Sequence, residues 1–186
     1  MYRALTAPAP AVPPPRPAPA PVPGERFNLC DYIRADAMVP RLAAGTRETI
    51  VRELVHRLAA LGYVRDAEAA GRTVLDRESV MSTAMEHGIA VPHGRTDEVS
   101  RLVCAVGLRP GGIDFGAADG EPTDIFALVL TPRAGADPYL QFVASLIGVL
   151  DEGGRERLRA AETPQAMAAA LTCELEEPPP NEAPRA

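Results

Sequence analysis

Two stretches of this chain, "LVCAVGL" at 102–108 and "IFALVL" at 125–130, are apolar at nearly every position. A strand with one wet face alternates apolar and polar residues, so a run without a polar face needs cover on both sides. Both runs are therefore expected to be central strands lying between two layers. "GIAV" at 88–91 is a third, shorter run of the same kind. Between the two long runs, "RPGGIDFGAADGEP" is dense in Gly, Pro and Asp and reads as turns around a very short strand at Ile113–Phe115.

The cover must come from helices on either side of this block. From Thr46 the apolar residues Ile50, Val51, Leu54, Val55, Leu58 and Leu61 recur at helical spacing, with Thr46 placed to cap the start and Gly62 to end it. His56 lies off that stripe, four residues after Arg52, and reads as a solvated surface histidine. A second helix is expected from Asp66 to about Arg77, weakened by Gly71. After Pro132, Asp137 is placed to cap a helix with Pro138 in its first position and a stripe of Leu140, Val143, Leu146, Ile147 and Leu150. Asp151 and Glu152 would then close that helix as a solvated acidic pair. "GGRERLRAA" and "TPQAMAAAL", the latter with Thr163 as cap, supply two shorter helices. Helices, then strands, then helices predict an α/β class protein: a single-domain sandwich with a central mixed β-sheet flanked by helices.

The chain has 186 residues, enough for one domain with a real core and too few for two ordinary ones. Nine prolines lie in residues 1–24 and four more in the "PPPNEAP" near the end. Alternating Pro and Ala cannot make ladder hydrogen bonds, so 1–25 is expected to be an extended, disordered Pro/Ala-rich arm and 176–186 a disordered tail, with the domain between them at 26–175. Cys30, Cys104 and Cys173 are far apart and odd in number, which suits neither a disulfide framework nor a C-x-x-C zinc pattern and fits a reducing cytoplasm. No run is long enough to span a bilayer, so direct membrane insertion is not expected.

Composition also excludes chemistry. All 19 basic residues are arginine, so there can be no Walker A lysine, no Schiff base and no serine–lysine dyad. A net charge of −6 works against nonspecific binding to nucleic acid.

What remains centres on "AMEHGIAVPHGRTD" at 84–97, where His93 stands between a proline and a glycine. The proline fixes the backbone before the imidazole and the glycine leaves room beside it, so His93 is presented to a ligand. Arg95 follows, Arg77 and Glu78 close the preceding helix, and Ser82 and Thr83 occupy the loop between. Arginine forks, hydroxyls and the bare backbone of Gly94 are what a tetrahedral oxyanion such as phosphate needs. A metal site is the competing reading: His87 and His93 share parity on an extended chain, with Glu86 and Asp97 as further ligands. Pro92 and the glycines break the geometry that pair requires and the other ligands lack a recognisable spacing, so no metal is expected, nor any other cofactor. His87 is then a loop residue shaping the pocket or simply exposed.

"DRESVMSTAMEHGIAVPHGRTDEV" resembles the active-site segment of the enzyme IIA proteins of the bacterial sugar phosphotransferase system, of the fructose, mannitol and nitrogen-regulatory type (EIIA type 2). The likeness continues through "LVCAVGLRPGGIDFGAADGEPTDIFALVLTP", "PYLQFVASLIGVL" and "GRERLRAAETPQAM", about residues 26–175 in all. The resemblance implies that His93 accepts a phosphoryl group from the histidine-containing phosphocarrier protein and passes it to an enzyme IIB component, and that Arg77 is the pocket arginine. Where the family usually has a second histidine, this sequence has Tyr139. A phenol can donate a hydrogen bond to phosphate near a helix N-terminus, but it cannot carry positive charge. Two functions share this pocket: a phosphocarrier for fructose-type sugar uptake, and a nitrogen-regulatory type of protein that binds regulatory partners according to its phosphorylation.

Overall fold

The computed structural model describes residues 27–134 and 138–172. The two tails and Asp137 lie outside the described residues. At the centre, β4 (Val103–Ile113) and β5 (Thr123–Pro132) form an antiparallel pair in which Cys104 stands opposite Val129 and Leu108 opposite Ile125. β1 (Met38–Val39) runs parallel to β4, while β2 (Ile89–Ala90) and β3 (His93–Thr96) run parallel to β5 along its other side. The result is a mixed, five-stranded sheet.

The two apolar runs are covered on both faces, as their composition requires. Along β5, Ile125, Ala127 and Val129 enter one core cluster and Phe126, Leu128 and Leu130 the other. Each of these six side chains is completely buried, and each buried large apolar group stabilises by about 1.5–3 kcal/mol. The first cluster includes Phe142, Leu146 and Val149 of α3 (Tyr139–Val149), Leu158 of α4 (Glu152–Arg159) and Met167 of α5 (Pro164–Thr172). The second is packed by α1 (Arg47–Ala60) and α2 (Ala67–Val80).

The helix signals hold at most ends. Thr46 forms a reciprocal capping box with Thr49, Asp66 accepts from Ala69 N–H at 3.0 Å, and Gly62 follows α1 with φ +77°. His56 is exposed, 3.4 Å from Glu68. Of the three cysteines, Cys30 is free and exposed, and Cys104 is free and buried, its thiol pushed up to about 12 by desolvation.

Several local expectations are corrected. α2 does not close at Arg77 but runs one turn further, to Val80. The strand expected at Ile113–Phe115 is absent: Ile113 ends β4 opposite Thr123, and Phe115 turns into the core against Phe126. Pro138 is the N-cap of α3, with Tyr139 its first residue. The buried face of α3 is Phe142, Leu146 and Val149, and Leu140 is 77% exposed. Asp151 begins α4, its carboxylate accepting from Gly154 N–H at 2.7 Å, because a charged oxygen there satisfies an otherwise orphaned donor. β1, β3 and the short 3-10 turns at Leu29–Asp31 and Ala35–Ala37 are too short to show a period in sequence.

Gly94 has a structural reason that differs from the one its sequence context suggested. A Cβ there would stand 3.1 Å from the methyls of both Thr73 and Val74, so the missing side chain is what lets α2 lie against β3. Gly94→Val is expected to overpack this contact and lower stability by about 1–3 kcal/mol, read as a lower urea midpoint at unchanged slope. An unchanged midpoint would mean that the two elements do not press on each other.

Candidate functional site

β3 is an edge strand, and an edge is where a proline is tolerated, because its missing N–H costs no ladder bond. The carbonyl of Pro92 accepts from Val129 N–H at 2.9 Å, which anchors the chain one residue before His93. His93 then pairs with Val129 in the parallel register, and Gly94 with Leu130. Successive side chains point to opposite faces: Gly94 turns toward α2, and the half-buried imidazole turns toward α3, where its ring lies 5.1 Å from that of Tyr139 at a tilt of 41°.

The imidazole is oriented by its own backbone. Nδ1 lies 2.9 Å from the carbonyl oxygen of Val91, and a carbonyl only accepts, so Nδ1 carries the proton. Nε2 is left with the ring's lone pair. One nitrogen is held and the other is nucleophilic.

A cavity of about 380 Å³ opens over the edge strand. Of the residues singled out in the sequence, His93, Arg77, Gly94, Arg95 and Tyr139 line it, joined by Thr73, Val129 and Thr131. The lining holds two arginines and no carboxylate, which favours an anion. Arg77 Nη1 donates to the carbonyl of Met81 at 3.0 Å, so one end of its planar donor fork is held by the backbone.

Ser82 and Thr83 are not part of this lining. The Ser82 hydroxyl donates to Phe115 O at 2.6 Å and accepts from Ala84 N–H at 3.1 Å. Thr83 is bound through its N–H and its hydroxyl to the Glu78 carboxylate, at 2.9 Å and 2.5 Å. Both shape the loop beneath the site. Sequence reasoning missed Thr73, Val129 and Thr131. Thr73 had a signal, since it lies four residues before Arg77 and so on the same helix face. Val129 and Thr131 had none, because only the strand register brings them beside His93.

His87 goes elsewhere. It adopts the left-handed conformation at φ +67°, donates its N–H to Asp119 at 3.0 Å, and lines a separate cavity with Gly88, Asp124, Arg155 and Arg159. Arg159 grips Asp124 with two hydrogen bonds of 2.7 Å and 2.8 Å and donates to His87 O at 2.9 Å. Asp97 is exposed beside Arg133, at 3.5 Å. Among the described residues no group of three or more His, Cys, Asp or Glu side chains could hold a metal ion, and no helix is long and apolar enough to cross a membrane.

The sequence matches the family described as phosphoenolpyruvate-dependent sugar phosphotransferase system, EIIA 2, over residues 31–173. The chain belongs to that family. This EIIA type-2 protein is 35% identical over 121 residues to the fructose-specific EIIA component of Haloferax volcanii, covering 64% of this chain and 79% of that one. It is 27% identical over 144 residues to the nitrogen regulatory protein of Bradyrhizobium diazoefficiens, covering 77% and 94%. Its fold is similar to that of Escherichia coli enzyme IIAMTL, solved in complex with phosphorylated enzyme IIBMTL, with a TM-score of 0.64, 25% identity, and coverage of 74% of this chain and 95% of that one. The family is that of an EIIA component, a general transferase role, and its relatives include components named for a sugar and proteins named for regulation.

The orientation of His93 makes a direct prediction for the EIIA site. Long-range proton–nitrogen spectra should show the neutral ring mainly as the Nδ1–H tautomer. A dominant Nε2–H form would remove the assignment of the free lone pair.

Proposed function

We propose that this protein carries a phosphoryl group on His93, accepting it from the histidine-containing phosphocarrier protein and passing it to an enzyme IIB component of a fructose-type sugar system. The observation that carries the reading is the imidazole held through Nδ1 to Val91 O in a cavity with Arg77 and Arg95 and no carboxylate. The Nε2 lone pair attacks the phosphorus of the donor's phosphohistidine. A new N–P bond forms, the donor's N–P bond breaks, and its electron pair returns to the donor imidazole. His93 keeps its Nδ1 proton throughout, still donated to Val91 O. Transfer of this kind asks little covalent help of the protein; it depends on in-line placement and on charge stabilisation of the equatorial oxygens, which the arginines supply.

A second reading has its own support. Tyr139 stands at the cavity where the family usually has another histidine, and the similarity to the Bradyrhizobium nitrogen regulatory protein covers 94% of that chain. In this reading His93 is phosphorylated by the same donor, and the phosphorylation state selects a regulatory protein partner. Transfer onward to a IIB component separates the two: its absence, with His93 still labelled, favours regulation.

Incubation with labelled phosphoenolpyruvate, enzyme I and the phosphocarrier protein should give an acid-labile, alkali-stable label that is lost in His93→Ala. Arg77→Ala should keep the fold by circular dichroism and lose about 1.5–3 kcal/mol of transition-state stabilisation, the range for hydrogen bonds to charged groups. Undiminished labelling of His93→Ala would sink the reading.

Tyr139 makes a separate prediction. Tyr139→Phe keeps the ring contact with His93 and removes only the hydroxyl, so transfer should slow with stability nearly unchanged. Tyr139→His restores a group that can be protonated and should raise the rate. Equal exchange rates with the phosphocarrier protein in all three forms would make position 139 purely structural.

A further inference from the structure

Glu78 is the one charged side chain among the described residues that is buried, at 2% exposure. Taking a carboxylate out of water is costly unless hydrogen bonds replace the lost hydration. Nothing in the core-facing pattern of α2 requires an acid there: Ala70 and Val74 fill the same buried face. The carboxylate is spent on a single residue, Thr83, whose N–H it accepts at 2.9 Å and whose hydroxyl it accepts at 2.5 Å.

Thr83 is the first member of a chain of bonds that ends at the imidazole. Its carbonyl accepts the N–H of Val91 at 3.2 Å. The carbonyl of Val91 in turn takes the Nδ1 proton of His93 at 2.9 Å. The same loop carries Met81, whose carbonyl holds the Arg77 guanidinium at 3.0 Å. One buried acid therefore stands behind both the orientation of the nucleophile and the resting place of the arginine beside it.

We propose that Glu78 is a positioning residue for His93: by clamping Thr83 it holds the Val91 carbonyl where it fixes the imidazole as the Nδ1–H tautomer, leaving Nε2 free to accept the phosphoryl group. The inference rests on the reading of His93 as a phosphoacceptor for its purpose, but its physical content, the control of a tautomer by a carboxylate on another element, stands apart from any transfer. Glu78 touches no reacting atom. Its effect passes through Thr83 and Val91, so it should appear in the state of the imidazole as well as in the rate.

The test compares the unmodified protein with Glu78→Gln, Glu78→Leu and Thr83→Val by long-range proton–nitrogen spectra of His93, with phosphoryl transfer from the phosphocarrier protein measured in parallel. Gln retains a carbonyl for the Thr83 N–H and offers its amide to the Thr83 hydroxyl, so tautomer and rate should be nearly unchanged. Leu keeps the buried volume and removes both bonds: the Nε2–H tautomer should rise, and transfer should fall about 10- to 100-fold, the range for losing the outer partner of a functional histidine or misplacing a reacting group. Thr83→Val removes one bond of the two and should shift the tautomer the same way by less; it decides the matter if the Leu variant does not fold. An unmoved tautomer in a folded Leu variant, or in Thr83→Val where Leu does not fold, would overturn the proposal, whatever happens to the rate. If the unmodified protein accepts no phosphoryl group at all, the functional reading fails, while the tautomer shift still reports on Glu78.

Discussion

The antiparallel pairing of β4 with β5 is the constraint on which the remaining structure rests. Val103–Leu108 of β4 and Ile125–Thr131 of β5 are buried, and the alternation of β5 between two core clusters requires cover on both faces of the sheet there. Burial of this extent is stable only with helices on each face, which is why α1 and α2 lie on one side and α3, α4 and α5 on the other. It also leaves the outer side of β5 as a template, on which β2 and β3 lay down the segment that carries His93.

The site is built from the irregularities of that edge. Pro92 breaks the strand but keeps its carbonyl in the ladder, and Gly94 leaves the gap into which α2 packs. Between these two residues the imidazole is turned to the α3 side, with Arg77 arriving from α2 and Tyr139 from the first turn of α3. An edge strand suits this work because one side of its backbone is not committed to a neighbouring strand. The buried Glu78 and the loop it clamps then stiffen the segment from behind.

Helix α3 shows where pattern reading failed and why. The stripe expected at Leu140, Val143, Leu146, Ile147 and Leu150 shares Leu146 and Leu150 with the buried set, yet Leu140 is exposed and Phe142 and Val149 are buried instead. Apolar residues stand at most positions of the helix, so more than one stripe can be drawn through its sequence. The face turned inward is the one that carries Phe142, which packs edge-on against Tyr32 and enters the core cluster. That rotation matters for the site, because it puts Tyr139 against His93 while its neighbour Leu140 faces outward.

The sequence by itself determined the layer order, the two central strands, α1 with Thr46 as its cap, and the candidates His93, Arg77, Gly94, Arg95 and Tyr139. All of these but Tyr139, which the family resemblance supplied, are written in local signals: period, caps, and a histidine set between proline and glycine. Only the tertiary structure decided that Val129 and Thr131 stand beside His93, that Ser82 and Thr83 serve the loop instead of the cavity, and that His87 belongs to another corner of the molecule. Strand register and the path of hydrogen bonds between distant segments fixed those outcomes. Such pairings depend on which backbone lies next to which, and a linear pattern does not carry that information.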